Sequence, residues 1–150
     1  MTGGATFDAT GAYRYRLWRE WDASLPAVTF IMLNPSTADA TTDDPTIRRC
    51  TGFAKRWGFG RLEVVNLFAY RADRPAALFA AADPVGRENA RHLREACAAS
   101  SLVVAAWGNN GARATRPGLD GELACLGLTK LGHPHHPLYV PASTTLRPYC

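Results

Sequence analysis

The sequence predicts an α/β fold: one domain over residues 1–150, built as a three-layer α/β/α arrangement around a mostly parallel central sheet of about four strands. Three observations predict it. Short apolar runs at 28–33, 62–66 and 102–107 each stop abruptly at a polar residue or a glycine. Asp44-Pro45 and Asp83-Pro84 lie between them, and each pairs a helix N-cap with a proline at the first helical position. The resulting strand–helix–strand spacing suits βαβ units.

In chain order, residues 13–18 alternate aromatic or aliphatic side chains with Arg, the period of a half-buried edge strand. Residues 28–33 are nearly continuous apolar and read as a strand buried on both faces. A polar loop, 36–43, leads to the helix opened by Asp44 and Pro45. Ile47, Cys50, Phe53 or Ala54, and Trp57 give that helix an apolar stripe, and Gly58 ends it. Residues 62–66 are a second strand, and 67–79 a loop carrying polar side chains. A helix is expected from Asp83-Pro84 to about Ser100. Residues 102–107 form a third buried strand, ended by Gly108-Asn109-Asn110-Gly111. A short helix is expected over 118–125 and a fourth strand over 126–129, before a tail rich in Gly, His and Pro.

Composition narrows the class. The chain is 47% apolar and 20% charged, which fits a globular domain and neither a disordered chain nor a membrane protein. No run approaches the 18 or so apolar residues of a membrane span, and the first residues do not read as a secretory signal. Cys50, Cys97, Cys125 and Cys150 show no C-x-x-C spacing, so reduced thiols in a cytoplasmic protein are expected, three of them in core positions. The net charge of +4 comes from 15 Arg and 2 Lys against 13 acids, which permits a nucleic-acid partner without demanding one.

In parallel sheets the ligand crevice lies beyond the carboxyl ends of the strands. Most of the unusual polar residues fall there. Asn34 and Ser36 follow the first buried strand, where they hold a polar ligand or orient water, or else close a turn. Asn66 offers one donor and one acceptor, matching the amide edge of a pyrimidine, or it caps its strand. Phe68 and Tyr70 stack on a ring or pack in the core; Arg71 meets a phosphate or carboxylate, or solvent. Trp107 is a pocket wall or a core residue. His133, His135 and His136 lack H-x-x-x-H spacing and a nearby Cys pair, so no metal is expected; one His facing the crevice would donate to developing charge. Arg48, Arg49, Lys55 and Arg56 recur at seven-residue spacing, a stripe for a phosphate backbone or a solvated face.

The runs Phe30-Ile-Met-Leu-Asn-Pro-Ser-Thr-Ala-Asp39, Asp43-Asp-Pro-Thr-Ile-Arg-Arg49, Val65-Asn-Leu-Phe-Ala-Tyr-Arg-Ala72, Ala106-Trp-Gly108 and Gly132-His-Pro-His-His-Pro-Leu-Tyr139 together resemble the bacterial and phage family known as domain of unknown function 1643. This resemblance covers nearly the whole chain and implies no activity. The order of the loops is also similar to the uracil-DNA glycosylase superfamily. That similarity implies its fold, a water-positioning role for Asn34, a base-reading role for Asn66, and a His-Pro role for His136 with Pro137 or His133 with Pro134. The chain departs from the pattern at Met32, Leu33 and Ser36, where glycines are usual, and at Leu138, where a serine is.

The best reading is a glycosylase-like hydrolase acting on a nucleobase, nucleotide or DNA. Asn34 and His136 are its catalytic residues, and Ser36, Asn66, Phe68, Tyr70, Arg71, Trp107 and His133 bind substrate. The alternatives are a non-catalytic nucleotide or nucleic-acid binding module and an interaction protein without a small-molecule site. No cofactor, membrane or protein partner is expected.

Overall fold

The middle of the chain's sheet is built from strands that are apolar on both sides. In the computed structural model, which describes residues 1–114 and 121–149, seven strands form one sheet. They are β1 (Thr2–Phe7), β2 (Arg14–Glu20), β3 (Ala27–Met32), β4 (Arg61–Asn66), β5 (Leu102–Ala105), β6 (Leu123–Cys125) and β7 (Arg147–Tyr149), in the spatial order β1-β2-β4-β3-β5-β6-β7. β4, β3, β5 and β6 run parallel to one another, whereas β1–β2, β2–β4 and β6–β7 pair antiparallel. The expected mostly parallel sheet of about four strands is therefore corrected to a mixed sheet of seven. β1 and β7 escape a sequence reading because Thr-Gly-Gly-Ala-Thr-Phe and Arg-Pro-Tyr carry no apolar alternation. Of residues 13–18, all but Tyr13 belong to β2, which is flanked by β1 and β4 and so is not an edge.

Successive side chains of a strand point to opposite faces. Val28, Phe30 and Met32 of β3 join Leu62 and Val64 of β4 in one cluster, against Ile47, Cys50, Phe53 and Ala54 of α1 (Pro45–Arg56). Ile31 and Val65 join a second cluster with Leu78 of α2 (Pro75–Ala80) and with Leu93 and Ala96 of α3 (Asn89–Ala98). Each such large side chain, fully buried, contributes roughly 1.5–3 kcal/mol. Buried charge on β4 is paired: Glu63 meets both Arg16 and Arg61.

The start of α1 follows the sequence closely. Asp44 accepts a hydrogen bond from the Ile47 N–H at 2.9 Å, Pro45 occupies the first turn, and Lys55 and Arg56 complement the dipole at the other end. The same signal at Asp83-Pro84 does not start a helix. Asp83 Oδ1 accepts from the Gly86 N–H at 3.1 Å, but Gly86 sits at φ +92°, which turns the chain, and α3 begins only at Asn89. The 67–79 loop contains the start of α2, opened by Pro75. The helix expected over 118–125 lies partly outside the described residues, and its last three positions are β6. The strand expected over 126–129 reduces to a single bridge between Leu128 and Pro134. Cys50 and Cys125 are buried and Cys97 half-buried, all free thiols; Cys150 lies outside the described residues.

Candidate active site

Residues just beyond the carboxyl ends of β3 and β5 line a cleft of about 380 Å³. Leu33 and Asn34 come from the end of β3, Asp73 and Pro75 from the start of α2, and Trp107 to Asn110 from the end of β5. The late loop adds His135, His136 and Tyr139. This loop is tied to the sheet by its backbone: the Gly108 N–H donates to Pro134 O at 2.8 Å, and the His135 N–H to Gly127 O at 2.9 Å. Trp107 is buried as a wall, and Gly111 is required beside it because any Cβ at 111 would collide with the indole ring.

Asn34 donates through Nδ2 to Pro35 O at 3.0 Å and to Ala72 O at 2.7 Å. Only the nitrogen of a carboxamide can serve two carbonyls, so the orientation is fixed, and Oδ1 has no hydrogen bond among the described residues. Asp73 accepts from Ser36 Oγ at 3.0 Å. His136 Nδ1 accepts the Leu138 N–H at 3.1 Å, which places the ring proton on Nε2. Burial pushes the His136 pKa below its ordinary 6.5, and the Asp44 carboxylate opposes this only in part. At pH 7 the ring is thus neutral and carries one N–H donor. Asn109 is committed to Thr129, whose Oγ1 donates to its Oδ1 at 2.6 Å. Asn110 is exposed, and its carboxamide makes no hydrogen bond among the described residues.

Three residues singled out in the sequence, Asn34, Trp107 and His136, thus line one cleft. The others stand elsewhere. Ser36 reaches the rim through Asp73. Asn66 is 1% exposed, and neither its Nδ2 nor its Oδ1 has a partner among the described residues. It follows Leu62 and Val64 in the strand alternation and so points to the α1 side of the sheet. Phe68 packs edge-on to Phe79 with centroids 5.3 Å apart, and Tyr70 packs edge-on to Tyr13 at 5.6 Å. Arg71 clamps two loops, donating to Ser36 O at 3.2 Å and Gly11 O at 3.3 Å. His133 closes a turn with Thr129 and lies off the cleft.

Arg48, Arg49 and Arg56 line a separate groove of about 430 Å³ with Phe53 and Leu138. Arg49 also donates to Val140 O at 2.7 Å and Arg56 to Thr144 O at 3.1 Å, so both hold the C-terminal segment against α1. Lys55 lies apart, 5.4 Å from the Trp21 ring centroid. The groove and the cleft share one wall, the 3-10 turn Pro137–Tyr139, with Leu138 in the groove and Tyr139 in the cleft.

Sequence reasoning gave no role to Asp73 or Asn110, and weighed His135 only together with His133 and His136. Asp73 stands just before the Arg74-Pro75 helix start, and Asn110 in the Gly-Asn-Asn-Gly strand ending. Among the described residues no group of three or more His, Cys, Asp or Glu could hold a metal, and no helix is long and apolar enough to cross a membrane. The sequence model of a family described as "Protein of unknown function (DUF1643)" matches residues 14–138. No curated protein and no solved structure matches the chain.

Proposed function

This chain belongs to the DUF1643 family, and we propose that it hydrolyses the N-glycosidic bond of a nucleobase, in a nucleotide or in DNA, within the cleft lined by Asn34, Trp107 and His136. The observation that carries the reading is the pairing, in one cleft, of a neutral His136 with its proton on Nε2 and the Oδ1 of Asn34. Water held by Asn34 Oδ1 and the Asp73 carboxylate attacks the anomeric carbon and gives its proton to Asp73. The carbon–nitrogen bond breaks, and its electron pair leaves with the base, whose developing negative charge is met by the His136 N–H. Asn110 supplies the donor–acceptor pair that reads the polar edge of the base. Asn66 offers the same pair only from a buried position.

The resemblance in loop order to the uracil-DNA glycosylase superfamily implies this reaction class; of the positions it names, Asn34 and His136 line the cleft and Asn66 does not. The division of α1 from α2 and α3 between two core clusters supports a three-layer arrangement. The Arg48–Arg49–Arg56 groove, sharing a wall with the cleft, favours DNA over a free nucleotide. We place the protein in the cytoplasm, with no cofactor needed for this step. The test is release of free base, followed by chromatography, from single-stranded DNA, duplex DNA and nucleotides carrying each normal and deaminated base. Release from any of them supports the reading. Nucleotide or DNA binding without release would make the chain a binding module instead.

A further inference from the structure

The described residues bury three charged side chains: Arg14 at 2% exposure, Arg19 at 3% and Glu63 at 2%. Two are neutralised within the fold. Arg19 Nε meets Asp43 Oδ1 at 2.9 Å, and Glu63 meets Arg16 and Arg61. Arg14 forms no ion pair among the described residues. Its Nη1 donates to Ala38 O at 3.0 Å, Nε has no partner, and Nη2 makes no hydrogen bond among the described residues. Burial pulls its pKa from 12.5 to about 10; Asp44 opposes this from a distance, while Arg71 and Arg19 add to it. Asp44 is not free to move in, because it caps α1 through the Ile47 N–H.

Nε and Nη2 form the side edge of a guanidinium, two parallel N–H groups spaced for the two oxygens of one oxyanion. An interior arginine left without a counter-charge is costly to the fold. The Arg14 N–H donates to Ala69 O at 2.9 Å, so Arg14 stands opposite the segment that follows β4. Ala38, whose carbonyl holds the guanidinium, packs in the apolar cluster that includes α1. The fork of Arg14 is thus roofed by the loop at 34–43.

The geometry points to a buried oxyanion site on the Nε–Nη2 edge of Arg14 that receives the phosphate or carboxylate group of a ligand. This site lies apart from the hydrolytic cleft and stands whether or not a base is released. With Arg14 only 2% exposed, binding requires the loop to lift, and its bond to this side chain is the one from Nη1 to Ala38 O.

The test is thermal unfolding at constant ionic strength, with chloride exchanged stepwise for inorganic phosphate or for acetate. A dose-dependent rise in Tm is expected for wild type with at least one of them, and which one does so separates a phosphate from a carboxylate ligand. In Arg14→Met the rise should vanish, while the chloride-only Tm is unchanged or higher because an uncompensated buried charge has gone. If that variant does not fold, Arg14→Lys decides: it keeps the charge, loses the fork, and should bind about tenfold more weakly. No rise in wild type with either ion would overturn the site. So would a full rise in Arg14→Met, which would move the ion to the Arg48–Arg56 groove, or wild-type affinity in Arg14→Lys.

Discussion

His136 and Leu138 settle the tautomer of the cleft histidine. The Leu138 N–H points at Nδ1 from 3.1 Å, so the imidazole keeps its proton on Nε2. A backbone two residues away thereby decides which nitrogen can donate to a ligand.

The same bond predicts how the residue titrates. Protonation of His136 would set an N–H against the Leu138 N–H and charge a half-buried ring. Nitrogen-detected NMR should show Nδ1 unprotonated at pH 7 and a titration midpoint below 6.5. The unfolded chain takes up this proton more readily than the folded one. The stability that neutral His136 contributes is therefore present above its ordinary pKa and is lost as pH falls through the lower folded value. A midpoint above 6.5, or the Nδ1–H tautomer, would refute the assignment.

Asn34 bridges two loops as well as lining the cleft. Asn34→Ala leaves the Ala72 carbonyl without its donor, while Pro35 O keeps the Ala72 N–H at 3.2 Å, and the change should cost about 1–3 kcal/mol in denaturant unfolding. Loss of activity in this variant must be measured below its unfolding transition. Unchanged stability would mean that the two bonds do not form in solution.

Asn66 should respond in the opposite way. Its carboxamide is buried with both polar atoms unpaired among the described residues, so Asn66→Leu removes a desolvation cost. The variant is expected to be as stable as wild type or more so. Asn110→Ala should leave stability unchanged and weaken nucleotide binding roughly 5- to 150-fold, the equivalent of about 1–3 kcal/mol from one unpaired polar edge. Calorimetric titration and unfolding curves on the two variants check both statements. Strong destabilisation in Asn66→Leu would show that the side chain has partners in solution.

The arginine groove predicts a split within one helix. Arg48 is exposed, and among the described residues its side chain bonds only to Asp43 O at 3.3 Å, whereas Arg49 holds Val140 O. Arg48→Glu should leave the fold intact. If DNA lies in the groove, it should also lower the slope of log K against log salt by roughly 0.7–0.9 for each phosphate that the side chain no longer neutralises. Arg49→Ala should instead loosen the C-terminal segment, seen as faster amide exchange near Val140. An unchanged slope in Arg48→Glu would remove the groove from the DNA path.

The core strands and α1 were legible because each rests on a local signal: nearly continuous apolar runs for β3 and β5, Leu62, Val64 and Val65 for β4, and Asp44 with Pro45 for the helix. Asp83-Pro84 carries the same local signal, yet Gly86 turns the chain there, and no neighbouring residue announces a positive φ at a glycine. Asn34, Trp107 and His136 could be placed near one another because strand ends and the late loop converge in a parallel sheet. Asn66 obeys the same rule in position, but its place in the alternation with Val64 turns the side chain to the α1 side. Arg14 could not be found this way. A charged residue in an alternating strand reads as exposed, and only the loop carrying Ala38 buries it.

The most direct test of the cleft is single-turnover base release by wild type, Asn34→Ala, His136→Ala and the double variant, on whichever substrate wild type accepts. If the two residues serve one transition state, each single variant should lose roughly 10²–10⁴-fold in rate. The double variant should lose much less than the product of the two losses, because the residues act as a unit. Full activity in either single variant, with wild type active, would contradict the account and move the chemistry out of this cleft.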